Sequence, residues 1–153
     1  MPEYLKKLRE LAGNLPILIC GACIILENEK GEILLMQRSD TKSWGFPGGV
    51  VDINEAAEDA ARREMFEETG LTAGPLELYG VFSGGRHYHV YPNGDEVSIV
   101  AIVYTCREYT GVPAADNTES IAVGFFPKDG LPENISPTCV PVLKKYLGCV
   151  GGL

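Results

Sequence analysis

The chain holds little that would grip nucleic acid, cross a bilayer or form a disulfide framework. Thirteen Lys and Arg stand against 21 Asp and Glu, a formal net charge of −8. A basic groove along a phosphate backbone is therefore not expected, and no nucleic-acid partner with it. No apolar run nears the roughly 18 residues of a membrane-spanning helix, so no membrane partner is expected either. Met1–Glu10 is charged and helix-like, unlike a secretory leader. There are two histidines and one tryptophan. His87 and His89 alternate on a predicted strand with nothing nearby to mark a zinc site, which reads as a surface or edge-strand role. Five cysteines, an odd count, read as reduced and mostly buried thiols, and the expected location is cytoplasmic. Cys20-x-x-Cys23 lies in the apolar run Leu15–Leu26, which reads as a strand. Residues three apart on a strand point to opposite faces, so the two sulfurs cannot close on one metal.

What is present suits one globular domain over residues 1–153, with 45% hydrophobic residues and no linker, repeat or low-complexity stretch. Tyr4, Leu5, Leu8 and Leu11 share a helical face, which predicts an N-terminal helix within residues 1–14, ended by Gly13-Asn14. Its apolar stripe suits the domain's own core, and a homodimer contact is the other use for it. Ile17–Leu26, Ile33–Arg38, Leu76–Phe82, Glu96–Thr105 and Ile121–Phe126 read as strands. Glu96–Thr105 is almost wholly apolar and so central. Pro92-Asn93-Gly94-Asp95 signals a hairpin turn before it, and Thr41–Val51 reads as a loop. Helices are expected at about Glu55–Thr69, stopped by Gly70, and at Val140–Leu147. Strands and helices in this order imply an α/β (α+β) sandwich, α/β/α, with a mixed sheet between helices.

The densest chemistry lies in residues 49–71. Glu64, Glu67 and Glu68 stand at i, i+3 and i+4 and share a face of the predicted helix. Ala57, Ala60 and Ala61 fall on the same side, with Glu58, Arg62 and Phe66 opposite. The acids thus continue the small, inward side, where uncompensated charge costs several kcal/mol per ion. A generic helix with this many charges is a solvated surface helix; carboxylates on an alanine face between glycines favour a bound cation instead. Oxygen ligands of this kind select a hard divalent ion, Mg²⁺ or Mn²⁺.

Gly49-x5-Glu55-x7-Arg63-Glu64-Met65-x-Glu67-Glu68-x-Gly70-Leu71 resembles the Nudix box, G-x5-E-x7-R-E-U-x-E-E-x-G-U, with Met65 in an aliphatic slot. Ile33–Arg38, Trp44–Gly49 and Phe125-Phe126-Pro127 with Leu131-Pro132 resemble segments common around that box in the MutT-like Nudix hydrolases. Asp52 stands where Glu is usual and Asn54 where Gly is usual. Asn tolerates the left-handed conformation a glycine would supply. The resemblance implies a Nudix-type sandwich and a Mg²⁺-dependent (or Mn²⁺-dependent) pyrophosphohydrolase. Its substrate would be a nucleoside diphosphate linked to another moiety.

Residue by residue, the resemblance makes Glu64, Glu67 and Glu68 metal ligands and catalytic groups. The Gly48 carbonyl joins them, and Gly49, Glu55, Arg63 and Gly70 are structural, Glu55 and Arg63 as an ion pair. Glu64 is the first choice for the water-activating base. Glu119, before the last strand, is the rival; otherwise it is a solvated loop acid. Arg38 either touches substrate phosphates or ends its strand in water. Trp44, Phe46 and Tyr88 either stack a nucleobase or pack the core. Tyr88 lies about 17 residues past Leu71, near a spacing seen in dinucleoside polyphosphate hydrolases, whereas the proline of ADP-ribose relatives is replaced by Arg86. The expected partner is a small nucleotide, most simply a nucleoside triphosphate, oxidised ones included. ADP-ribose and dinucleoside polyphosphates are the alternatives. A non-catalytic nucleotide-sugar sensor would have lost box glutamates that are all present here.

Overall fold

The computed structural model describes Pro2 to Gly148. Met1 of the first helix and Cys149 among the thiols therefore lie outside the described residues. In chain order the elements are α1 (Glu3–Ala12), β1 (Ile17–Leu26), β2 (Ile33–Arg38), β3 (Trp44–Gly45), β4 (Gly48–Val50) and α2 (Ala57–Thr69). They continue with β5 (Thr72–Ala73), β6 (Glu77–Phe82), β7 (Tyr88–Val90), β8 (Glu96–Cys106), β9 (Tyr109–Thr110), β10 (Ser120–Phe126) and α3 (Val140–Leu147).

The long apolar strand β8 is central, as its composition predicts. It pairs with β1 in parallel, from Ile17 opposite Val97 to Leu26 opposite Cys106. Its other edge is shared by β6 and β7, both antiparallel. A three-stranded sheet, β10-β2-β3, packs beside this mixed five-stranded one. Alternation along β1 sends neighbouring residues to different cores. Ile24 joins Ala60, Ala61 and Met65 of α2 on one face. Ile25 joins Val142 and Leu143 of α3 on the other. On that second face α1 contributes Leu5 against Ile17, Ile19 and Val97.

Several expectations need correction. The stretch 41–51 is not all loop: β4 pairs with β1, Gly48 opposite Cys23. A glycine pair carries no strand propensity, so only tertiary pairing reveals it. Helix α2 starts at Ala57, because the Glu55 carboxylate turns back to accept from the Asp52 amide at 3.0 Å. Asn54 beside it has a left-handed φ of 63°. On α1 the buried side is Leu5 with Leu8 and Ala12, whereas Tyr4 and Leu11 are exposed. That side follows i, i+3, i+7 spacing and leaves the other two on its flanks. Cys23 packs with the α3 core. The cysteines among the described residues are free. No helix among the described residues is long and apolar enough to cross a membrane.

Glu27, just past β1, pins α3 to the sheet. Its largely buried carboxylate accepts from the Tyr146 hydroxyl at 2.5 Å and pairs with Lys128 Nζ at 2.8 Å. Burial pushes its pKa up, but Lys128 and Tyr146 win, and the carboxyl is held below its ordinary value. A depressed folded-state pKa contributes stability above the unfolded value of about 4.5, and that stability is lost as pH falls through the folded value. Glu27→Gln is therefore expected to destabilise by about 1–2 kcal/mol at pH 7, discounted because Lys128 is partly in solvent. Thermal melts should show the difference from wild type closing below about pH 4.

Candidate active site

Helix α2 displays its acids in two settings. Glu64 and Glu68 continue the Ala60–Ala61 side and are buried, 8% and 3% exposed. Glu67, expected to point inward with them, stands on the flank with its side chain 57% exposed. Being three residues on from Glu64, it sits about 60° round the helix. There it meets Arg63 Nη1 at 3.3 Å. Gly70 closes the helix with a left-handed φ of 72°.

Arg63 joins this helix to the loop before it. Its Nε and Nη2 clasp both Glu55 oxygens at 2.7 and 3.0 Å, and Nη1 donates to Glu64 at 2.6 Å. The Gly48-Gly49 pair is required by close approach. A Cβ on Gly49 would lie 2.4 Å from Glu64 Cδ, and one on Gly48 would lie 2.4 Å from the Ala22 oxygen and Cys23 Cβ. The Gly48 amide donates to Glu68 Oε2 at 2.8 Å. This bond brings the Gly48 backbone against the acid cluster.

Glu119 completes the cluster from the loop before β10. Asp116 Oδ1 accepts from the amides of Thr118, Glu119 and Ser120 at 3.2, 3.1 and 2.7 Å. The Ser120 hydroxyl donates to the Glu68 carbonyl at 2.7 Å, and Ser39 N donates to the Glu119 carbonyl at 2.9 Å. The loop is thus tied to α2 and to the end of β2. One oxygen each from Glu64, Glu68 and Glu119 lie within 4.8 Å of one another.

Burial raises Glu68 to about 8, against the Gly48 amide bond and with Glu64 adding repulsion. Burial also raises Glu64, which Arg63 opposes. Carboxylates desolvated this far and gathered this close match the donor set of a hard divalent cation, which would relieve both penalties.

The cluster opens on a cavity of about 670 Å³ floored by Ile17, Ile19 and Ile99 and walled in part by Arg38 and Phe46. That volume is in the range of small-molecule sites. Arg38 donates to Asp40 from Nε and Nη2, at 2.9 and 2.8 Å, and this pairing holds Asp40 at about 2. Of the three aromatics read as either stacking a base or packing the core, two lie off the cavity lining. Trp44 packs edge-on against Phe126 at 4.9 Å in the α3 core. Tyr88 sits opposite Ser98, is 42% exposed and is not among the cavity's lining residues. The buried His87, expected at the surface, does line the cavity. Asp116 and Ser120 carried no motif, although an Asp four residues before a Ser is the pattern of a side-chain-closed turn.

The family model of the NUDIX domain matches residues 19–146. The chain belongs to the NUDIX family. It is similar to the crystal structure of a MutT NUDIX hydrolase from Burkholderia pseudomallei, at 30% identity and a TM-score of 0.71. That likeness covers 83% of this chain and 96% of the other. A putative 8-oxo-dGTP diphosphatase of Bacillus subtilis is 48% identical over 62 residues, 40% of this chain and 42% of that protein. An RNA pyrophosphohydrolase of Pseudomonas paraeruginosa is 37% identical over 67 residues, 44% of this chain and 42% of that protein. The matched stretches thus span about two fifths of these two curated relatives.

In this NUDIX chain the Gly49 clearance gives a direct test of the cluster. Gly49→Ala should push the Glu64 carboxylate out of place and weaken Mn²⁺ binding by about 10–100-fold, the range for disturbing a ligand's support. Calorimetric titration checks this, and circular dichroism should show the fold retained.

Proposed function

We propose that the chain is a divalent-metal-dependent hydrolase of phosphoanhydride bonds, acting on a nucleoside triphosphate and releasing pyrophosphate. Oxidised nucleotides are included in that class. The observation that carries this reading is the cluster of buried Glu64 and Glu68 with exposed Glu119, opening on a cavity lined in part by apolar side chains. Such a cavity accepts a base and sugar while its acidic end meets the phosphates. The family match and the diphosphatase name of the Bacillus relative support the same class. Mg²⁺ or Mn²⁺, when bound by Glu64, Glu68 and Glu119 with Glu67 at the rim, would neutralise charge on the phosphoryl oxygens.

The protein's own groups do the remaining work. Glu64 accepts a proton from water as the water oxygen bonds to phosphorus. The bridging P–O bond breaks, and its electron pair leaves with pyrophosphate. Burial favours Glu64 for this role because it raises the carboxylate's proton affinity. Arg63 holds it in place. Glu119 is the rival base. Arg38 lies where a phosphate would meet its guanidinium, with Asp40 fixing that group's orientation. Phe46 walls the nucleotide side. A cytoplasmic location, no membrane partner and no nucleic-acid partner complete the reading.

Pyrophosphate release with Mg²⁺ is the test, across nucleoside triphosphates, 8-oxo-dGTP, ADP-ribose, diadenosine tetraphosphate and 5′-triphosphorylated RNA. Glu68→Gln should lower kcat by at least ~100-fold. Any non-triphosphate, or the RNA, exceeding every nucleoside triphosphate tenfold in kcat/KM would overturn the substrate choice. No turnover of anything would indicate a sensor. Glu119→Gln with unchanged kcat from pH 6 to 9 would leave Glu64 as the base, whereas a larger loss than for Glu64→Gln would reverse the order.

A further inference from the structure

His87 is the buried group that the proposed hydrolysis leaves unused. It ends a single 3₁₀ turn, Gly85–His87, between β6 and β7. The residue is 2% exposed, and neither Nδ1 nor Nε2 has a hydrogen-bond partner. The Ser83 backbone lies close enough to favour the protonated ring, yet no bond of proper geometry forms. The ring rests against Phe82, centroids 6.2 Å apart, a contact that satisfies neither nitrogen. Buried polar atoms almost always find a partner, and an imidazole left without one is costly to the fold. His87 also lines the cavity that Glu64, Glu68 and Glu119 line. Other polar lining groups are already engaged, Asn93 and Arg9 with Asp95 and Ser136 with Thr138, whereas among the described residues the His87 nitrogens are the buried side-chain polar atoms left without a partner.

We propose that His87 is a specificity-determining residue that hydrogen-bonds the nucleobase of the bound nucleotide. This rests on the reading of the ligand as a nucleotide. Burial lowers the proton affinity of the ring, so it stays neutral near pH 7 and carries one donor and one acceptor. A neutral imidazole can offer either to a base edge by changing tautomer. Gly84 and Gly85 precede it with open space around both, and Gly84 has a φ of +96°. The turn can therefore yield and let the ring edge meet the ligand. A site built around one such bond discriminates among bases because the wrong base leaves the buried nitrogen unpaired.

The experiment compares kcat/KM for ATP, GTP, CTP, UTP and 8-oxo-dGTP in wild type, His87→Phe and His87→Gln. His87→Phe is expected to shrink the ratio between best and worst base at least tenfold, about 1.4 kcal/mol. His87→Gln, which keeps a donor and an acceptor, should restore part of it. A uniform fall across all bases, or an unchanged ratio, would overturn the proposal. A second measurement needs no variant. The chain has two histidines, so ¹⁵N imidazole spectra of the wild type separate His87 from His89. In the presence of Mg²⁺, the His87 nitrogens should shift with a non-hydrolysable nucleoside triphosphate and not with inorganic tripolyphosphate. Shifts identical with both, or absent with both, would refute base contact. A wild type that hydrolyses no nucleotide would refute the underlying reading too, whereas one that discriminates bases through an unaltered His87→Phe ratio refutes only this inference.

Discussion

Arg63 holds the site together. One guanidinium neutralises Glu55 on the loop, Glu64 on the inner helix face and Glu67 on its flank, at 2.7, 2.6 and 3.3 Å. Arginine suits the task because its planar fork serves several carboxylates at fixed angles, which a lysine cannot do. Without that charge, Glu64 would be desolvated beside Glu68 with nothing to balance it. The loop carrying Gly48 and Gly49 would also lose its tie to the helix. The glycine pair, the helix start and the acid cluster thus share one electrostatic anchor.

The site is therefore a place where stability is given up. Glu68, at about 8, and Glu64 are both pushed toward their neutral forms by burial. Replacing these acids with neutral isosteres would suit the apoprotein better. Their retention on an alanine face is the physical argument for a cation, and it does not depend on any relative. Glu119 joins them from another element, exposed at the rim, where Asp116 and Ser120 tie its backbone to α2.

The principal strands and all three helices were legible in the sequence, since each shows either an apolar run or a helical stripe. The two-residue strands β3, β5 and β9 were not, nor was β4, because their pairing is imposed by neighbours rather than by their own residues. The acids of α2 were legible as a cluster, but spacing alone did not separate Glu67 from its inward companions. Likewise, aromatic identity could not tell that Trp44 and Phe46 share the α3 core and that Phe46 also reaches the cavity while Trp44 packs on Phe126. The burial of His87 was invisible because it comes from a single 3₁₀ turn that carries no periodic pattern. Sequence spacing reports faces of an element well and the depth of an individual side chain poorly.

The parallel pairing of β1 with β8 also dictates the order of events as the chain is made. Ile17 finds its partner only at Val97, about eighty residues later, and contacts this distant close slowly. Until β8 is made, Ile17–Leu26 can pair only with β4, and the alanines of α2 can pack only on β1 and β2, so the other edge of β1 stays open. An apolar strand edge left unpaired that long is a place where wrong pairing can start.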